Sequence, residues 1–215
     1  MAIFQYGKKE INHLRSRCPI LGDAIDIVGP IRREIRPDLF AALVQSIVSQ
    51  QISSKACVTI WGRIEERFAP ITPEIIAVTP VETIQQCGIS TRKATYIREA
   101  AQSICRGVIN IDRLGSLSDD EVCTELARLK GIGNWTAEML LIFSMQRPNV
   151  FSWGDLAIHR GLRMLYRHRV VTEKLFEKYR RRFSPYASVA SLYIWAIAGG
   201  EYDGFDDPVA KKSKK

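Results

Sequence analysis

Apolar residues recur at intervals of three and four along nearly the whole chain, and strict alternation or two-residue hairpin turns are almost absent. That periodicity predicts an all-α protein. Thr79-Pro80-Val81-Glu82 and Ser118-Asp119-Asp120-Glu121 each set a hydroxyl three residues ahead of a glutamate, a reciprocal arrangement that satisfies amide groups at a helix start. Thr72-Pro73 is a third start, with proline at the first helical position. From these anchors helices are expected over 9–17, 38–49, 54–68, 73–78, 80–87, 92–106, 119–129, 135–145, 156–167, 173–183 and 185–198. Connections are short, and no Gly/Ser-rich linker, low-complexity stretch or solenoid repeat interrupts them. The longest uncharged stretch, 183–200, is long enough to span a membrane but contains Ser184, Pro185, Ser188 and Ser191, so a buried core helix is expected and no membrane partner.

A chain of 215 residues, 46% hydrophobic and 25% charged, excludes disordered, collagenous and disulfide-scaffold classes. Thirty-one Lys and Arg against 23 Asp and Glu leave a net charge of +8. Lys211, Lys212, Lys214 and Lys215 are four of the positive charges, so 208–215 reads as a basic disordered tail. A basic body favours a polyanionic partner, nucleic acid above all, although the same balance also serves solubility. The five cysteines are odd in number and include no CxxC pair, which suits reduced thiols and encodes neither a zinc site nor an iron–sulfur cluster. Residues 1–7 lack the basic-then-apolar pattern of a signal peptide, and a cytoplasmic location is expected, on the nucleoid in a prokaryote or in the nucleus of a eukaryote.

The most informative segment is Leu129-Lys-Gly131-Ile132-Gly133-Asn134-Trp135-Thr136-Ala137-Glu138. A helix ends, two glycines bracket one apolar residue, and a second helix begins at once with Trp135, Met139, Ile142 and Phe143 at i, i+4, i+7 and i+8. Glycines at 131 and 133 open backbone angles closed to other residues, and Ile132 between them is placed to plug the groove where the helices cross. Such a turn aims consecutive amides and the positive end of a helix at one outside point, a site for phosphate. A phosphate held by backbone amides carries no base information, so DNA is gripped without its sequence being read. The plainer role is an ordinary glycine-closed helical corner.

Together with Ile47-Val-Ser-Gln-Gln-Ile-Ser53, Cys87-Gly-Ile-Ser-Thr-Arg-Lys-Ala94 and Val150-Phe-Ser-Trp-Gly-Asp155-Leu-Ala, this string resembles the helix-hairpin-helix superfamily of DNA base-excision glycosylases, over roughly 38–195. The branch it looks most like is the compact 3-methyladenine DNA glycosylases of alkylation repair. Lyase-competent relatives carry a lysine nucleophile two residues after the second hairpin glycine, where Trp135 stands here, so a single-function glycosylase is implied. Branches with a four-cysteine iron–sulfur loop are set aside because no cysteine follows Cys123. Larger bacterial relatives add a β-rich N-terminal domain, and only 37 residues precede Asp38 here.

The resemblance implies a two-lobed fold: one lobe at 36–145 holding the hairpin, the other made of 1–35 with 146–207, and the active site in the cleft between them. Asp155 is implied as the catalytic carboxylate, stabilising the positive charge that builds on deoxyribose as the base departs and orienting water. An alkylated purine is already cationic and leaves neutral, so no second carboxyl is needed. Asp155 also heads an amphipathic helix whose apolar positions are Leu156, Leu162 and Leu165, and its plainer role is a helix N-cap; the two roles are compatible.

A flipped base needs a pocket, for which Trp135 and Trp153 are candidates through cation–π attraction of ~0.5–2 kcal/mol, with core packing as the alternative. The residue that fills the gap in the duplex is expected at Gln51, with Ser53 as the competing position. Phosphate contacts are expected from Gly131, Ile132, Gly133, Asn134, Thr136, Arg92, Lys93 and Arg160, a solvated basic face being the default for the arginines. No cofactor is implied, though the carbonyls of Leu129 and Ile132 are placed to hold a structural monovalent cation. The expected partners are duplex DNA with alkylated bases and the abasic product, met by a monomer. Two other readings stay open: a glycosylase for deaminated or mismatched bases, and a non-catalytic hairpin module that binds DNA as a scaffold.

Overall fold

Residues 2–209 are described by the computed structural model, in which helices follow one another with little between them. They are α1 (Lys8–Arg17), α2 (Pro19–Val28), α3 (Leu39–Ser49), α4 (Ser54–Phe68), α5 (Pro73–Val78), α6 (Val81–Gln85), α7 (Thr91–Cys105), α8 (Asp119–Ala127), α9 (Asn134–Phe143), α10 (Leu156–Tyr166), α11 (Glu173–Phe183) and α12 (Ala187–Gly199). A two-residue antiparallel ladder, β1 (Ala2–Ile3) with β2 (Glu34–Ile35), pairs Ala2 with Ile35. The fold is therefore all-α in substance. The basic tail expected from 208 lies, beyond Val209, outside the described residues.

The caps explain where several helices begin. Ser118 accepts from the Glu121 amide at 3.3 Å while Glu121 takes the Ser118 amide at 2.8 Å, closing the expected reciprocal box on α8. Thr72 accepts from the Ile75 amide with Pro73 at the first helical position of α5. Thr79 departs from expectation. It closes α5 rather than opening α6, and its hydroxyl turns back to donate to the Ile75 carbonyl at 2.7 Å, so Pro80 caps α6 with no side-chain bond. Helix α2 was absent from the sequence reading because Cys18 at its N-cap makes no side-chain cap bond, leaving Pro19 as the only start signal.

The described backbone packs into two compact units, Arg36–Met145 and residues 2–35 joined with 146–209. In the first, α7 packs on α5 and α6, α3 meets α4, α7 and α9, and α8 meets α9. Its core is built from Phe40, Leu43, Ile47, Ile64, Ile97, Val122, Leu126 and Leu140. Helix α9 buries Thr136, Ala137, Leu140, Leu141 and Ile142, whereas Trp135 is 47% exposed. The apolar stripe read from Trp135 is therefore displaced, because its first member is at the surface while Thr136, Ala137 and Leu141 are buried.

In the second unit α12 is buried on nearly every side, as its uncharged sequence requires. Its serines are satisfied locally, Ser188 donating to the Arg147 carbonyl at 2.6 Å and Ser191 to that of Ala187 at 3.0 Å. Among the described residues no helix is long and apolar enough to cross a membrane. Helix α10 lies against α12 at Gly161, and an aromatic cluster of Phe151, Phe176 and Phe183 fills the space beside α11, with Phe151 and Phe176 stacked at 4.6 Å.

Candidate active site and DNA-binding hairpin

The hairpin joins α8 to α9 through 128–133. Gly131 has φ +85°, and a Cβ there would stand 2.6 Å from the Tyr96 ring, so glycine is required twice over, by conformation and by space. Gly133 differs from expectation: its φ of −95° is open to any residue, and an added Cβ would meet nothing within 4 Å. Its hydrogen side chain matters instead for leaving the N-terminus of α9 approachable, where no side chain caps the helix and no acid sits in the first turn. Ile132 is buried as a plug, and its amide donates inward to the Leu129 carbonyl at 3.1 Å, which removes it from the amides aimed outward. Thr136 is buried too, so only its backbone remains as a phosphate candidate, while Gly133 and Asn134 are exposed.

These geometries give a paired expectation. Gly131→Ala costs about 1–2 kcal/mol for the left-handed backbone alone and more for the Tyr96 collision, lowering the melting temperature. Gly133→Ala leaves the melting temperature near wild type yet weakens binding to abasic-site duplex by crowding the amide end. Melting curves and DNA titrations of the two variants check this, and equal stability loss in both would contradict it.

The turn between α3 and α4 carries the expected wedge. Gln51 is exposed with φ +55°, a left-handed conformation in a residue other than glycine. Ser53, the competing position, is the N-cap of α4 and accepts from the Ala56 amide at 3.2 Å. A cavity of about 350 Å³ lies beside this turn, lined by Ser49, Gln50, Gln51, Arg92, Lys93, Tyr96 and Trp135. The structure thus brings Gln51, Arg92, Lys93 and Trp135 together from segments 40 residues or more apart in sequence, except for the adjacent Arg92 and Lys93.

Lys93 corrects the sequence reading. Its ammonium donates to the carbonyls of Val48 at 2.8 Å and Gln50 at 2.6 Å, so it braces a helix end and is not held out to a phosphate. Burial pulls its pKa below the usual lysine value. Arg92 beside it is exposed. Tyr96 and Gln50 were missed: Tyr96 follows a recognised motif by two residues but carries no signal of its own, and Gln50 was passed over for its neighbour.

In the other unit Asp155 is the N-cap of α10, its Oδ1 accepting from the Ile158 amide at 2.9 Å. It is only 6% exposed, and among the described residues it is the one acidic side chain in the buried class. An ordinary cap such as Asp38, which accepts from the Ala41 amide, sits in water. Trp153, two residues before Asp155, is 43% exposed with its ring edge-on to Phe176 at 5.0 Å and to His159 at 4.5 Å. The imidazole Nε2 of His159 lies 2.7 Å from the Trp153 carbonyl and must donate to it, which ties this turn to the first turn of α10. Neither candidate tryptophan is therefore in the core.

Leu156 was counted with the apolar face of α10 but is 84% exposed, because the first helical position after the cap points away from the side that buries Leu162 and Leu165. Arg160 lies 3.8 Å from Asp207, which Arg163 holds through two bonds of 3.2 and 2.8 Å. That bidentate contact keeps the Asp207 carboxyl below its ordinary pKa and offsets part of the charge Arg160 would bring to DNA.

Residues 44–185, which include the hairpin, the α3–α4 turn and Asp155, match the profile of the HhH-GPD superfamily of base excision DNA repair proteins. The chain belongs to that superfamily. Among individual members, DNA-3-methyladenine glycosylase 1 of Schizosaccharomyces pombe is 33% identical over 179 residues, 80% of this chain and 78% of its own. DNA-3-methyladenine glycosylase of Saccharomyces cerevisiae is 30% identical, over 77% of this chain and 69% of its own. Two solved HhH-GPD structures share the fold closely. A DNA-3-methyladenine glycosidase from Bacillus halodurans superposes with a TM-score of 0.81 at 35% identity, covering 93% of each chain. The Schizosaccharomyces pombe 3-methyladenine DNA glycosylase bound to abasic DNA superposes at 0.77 with 30% identity, covering 89% of this chain and 97% of the other.

Proposed function

We propose that this chain is a monofunctional DNA glycosylase that removes alkylated purines, 3-methyladenine foremost, by hydrolysing the N-glycosidic bond of a flipped nucleotide. The observation that carries the reading is Asp155, a buried acid fixed by its cap bond at the head of α10 beside an exposed tryptophan. A carboxylate out of bulk water acts on the cationic sugar at reduced screening and without reorganising as charge develops. The departing alkylated base is already positive, so its exit needs no proton donor. Trp153, half exposed and in the same unit as Asp155, is the candidate for an electron-rich surface to meet such a cation.

The remaining groups serve DNA. Gln51 fills the gap left by the flipped base, and the amides of Gly133, Asn134 and Thr136 take a phosphate with Arg92 nearby. A monovalent cation, where one is used, falls to the Leu129 and Ile132 carbonyls and adds positive charge beside that phosphate. The Leu129 oxygen, already taking the Ile132 amide, keeps a second lone pair for it. With tryptophan at 135 no amine stands at the position of the lyase nucleophile, so the product is an abasic site with the strand intact. The enzyme works as a monomer on chromosomal DNA, in the nucleoid or nucleus.

Incubation with methylated duplex DNA is expected to release 3-methyladenine, and strand cleavage is expected only after alkali. Release of uracil or hypoxanthine in preference would move the substrate to deaminated bases. Tight binding with no base released from any lesion duplex would leave a DNA-binding scaffold instead.

A further inference from the structure

We propose that Lys93 and Gln50 are positioning residues for the wedge, locking the α3–α4 turn against the hairpin so that Gln51 is presented to the duplex in one fixed pose. The inference rests on the wedge role proposed for Gln51 and explains how an exposed glutamine could perform it.

The argument starts from helix ends. The last carbonyls of α3 have no amide partner within the helix, and a cation there also complements the negative end of the dipole. Lys93 supplies both needs, with one ammonium on the Val48 and Gln50 carbonyls at 2.8 and 2.6 Å. Within its own helix Lys93 is misplaced, since it sits in the first turn of α7, three residues after the Ser90 cap, where an acid is preferred. A lysine held at the unfavourable end of one helix and bonded to the favourable end of another is accounted for by the tertiary bond. The Gln50 side chain then donates to the Gly131 carbonyl at 2.7 Å, and Gly131 is the hairpin residue pressed against Tyr96. Two of these bonds fix the residue immediately before Gln51, one on its main-chain and one on its side-chain side, and the Val48 bond anchors the helix end behind it.

The consequence falls on Gln51 and the cavity. Its left-handed backbone is disfavoured for an L-residue and persists because its surroundings impose it. The wedge turn is also one wall of the cavity that Trp135 lines, so a loosened turn changes both the depth of insertion and the shape of that space. Errors of about 1 Å in such positioning cost up to roughly a hundredfold.

The test uses duplex containing an abasic-site analogue with 2-aminopurine at the neighbouring base, whose fluorescence rises when a side chain enters and unstacks it. Lys93→Met is expected to slow that rise about tenfold or more, with the salt slope for undamaged duplex unchanged because no phosphate contact is lost. Gln50→Ala, which removes only the link to Gly131, is expected to act in the same direction with an unchanged melting temperature, so a folding defect in Lys93→Met does not decide the matter. A salt slope lowered by about one in Lys93→Met would make Lys93 a phosphate ligand and overturn the inference. Wild-type fluorescence kinetics in both variants would overturn it as well. A wild-type protein with no fluorescence rise removes the wedge, and the inference with it, while base release in the excision assay judges the glycosylase reading separately.

Discussion

Asp155→Asn is expected to stop base release almost completely while leaving the fold and the affinity for abasic-site DNA in place. Asparagine caps a helix about as well as aspartate, and its amide oxygen can still accept from the Ile158 amide, so stability should change by no more than a few tenths of a kcal/mol. What the substitution removes is the negative charge of the carboxylate proposed to face the sugar. At about 4 Å and an effective dielectric constant near 20 that charge is worth about 4 kcal/mol, or roughly a thousandfold in rate. Single-turnover release of 3-methyladenine at saturating enzyme isolates this from binding. A variant retaining more than about a tenth of wild-type release, far above that thousandfold loss, would remove Asp155 from the reaction.

Gly161→Ala is expected to be among the most destabilising single methyl additions in the protein. A Cβ there would stand 2.3 Å from the Ile194 carbonyl oxygen and 2.5 Å from its Cγ2, and the oxygen is backbone, so no rotamer change relieves it. Alanine gains about 1 kcal/mol of helix propensity over glycine, while forced overpacking costs about 1–3 kcal/mol or more where nothing can move aside. The balance lies with the collision. A net loss of about 2 kcal/mol lowers the melting temperature by roughly 4–8 °C in a chain of this size. Base release should fall too, because α10 carries Asp155 at its head and moves when pushed from α12. A raised melting temperature would mean that propensity wins and that α10 and α12 are not in such close contact.

Much of this was legible without coordinates. Helical periodicity, the Ser118 and Thr72 caps and the uncharged run that became α12 are local properties, decided by side chains within four residues of one another. The hairpin string and the three other motif segments were likewise enough to nominate Asp155, Trp135, Trp153 and Gln51, through the family resemblance that they carry.

Tertiary structure decided what those residues are free to do. Lys93 reads as a phosphate contact until α3 is seen to end against it, and Arg160 reads as unopposed until Asp207, 47 positions along the chain, is brought within 3.8 Å. Gly131 and Gly133 look alike in sequence, yet the Tyr96 ring makes one indispensable and leaves the other open. Trp135 and Leu156 have core composition but surface exposure, because burial belongs to the packing of whole helices and not to one side chain. Above all, a cap carboxylate becomes a candidate catalyst only when it is buried, and the sequence around Asp155 does not show that burial. Sequence specifies which groups are present and which backbone they prefer; partners far along the chain determine which charges are spent and which remain for DNA.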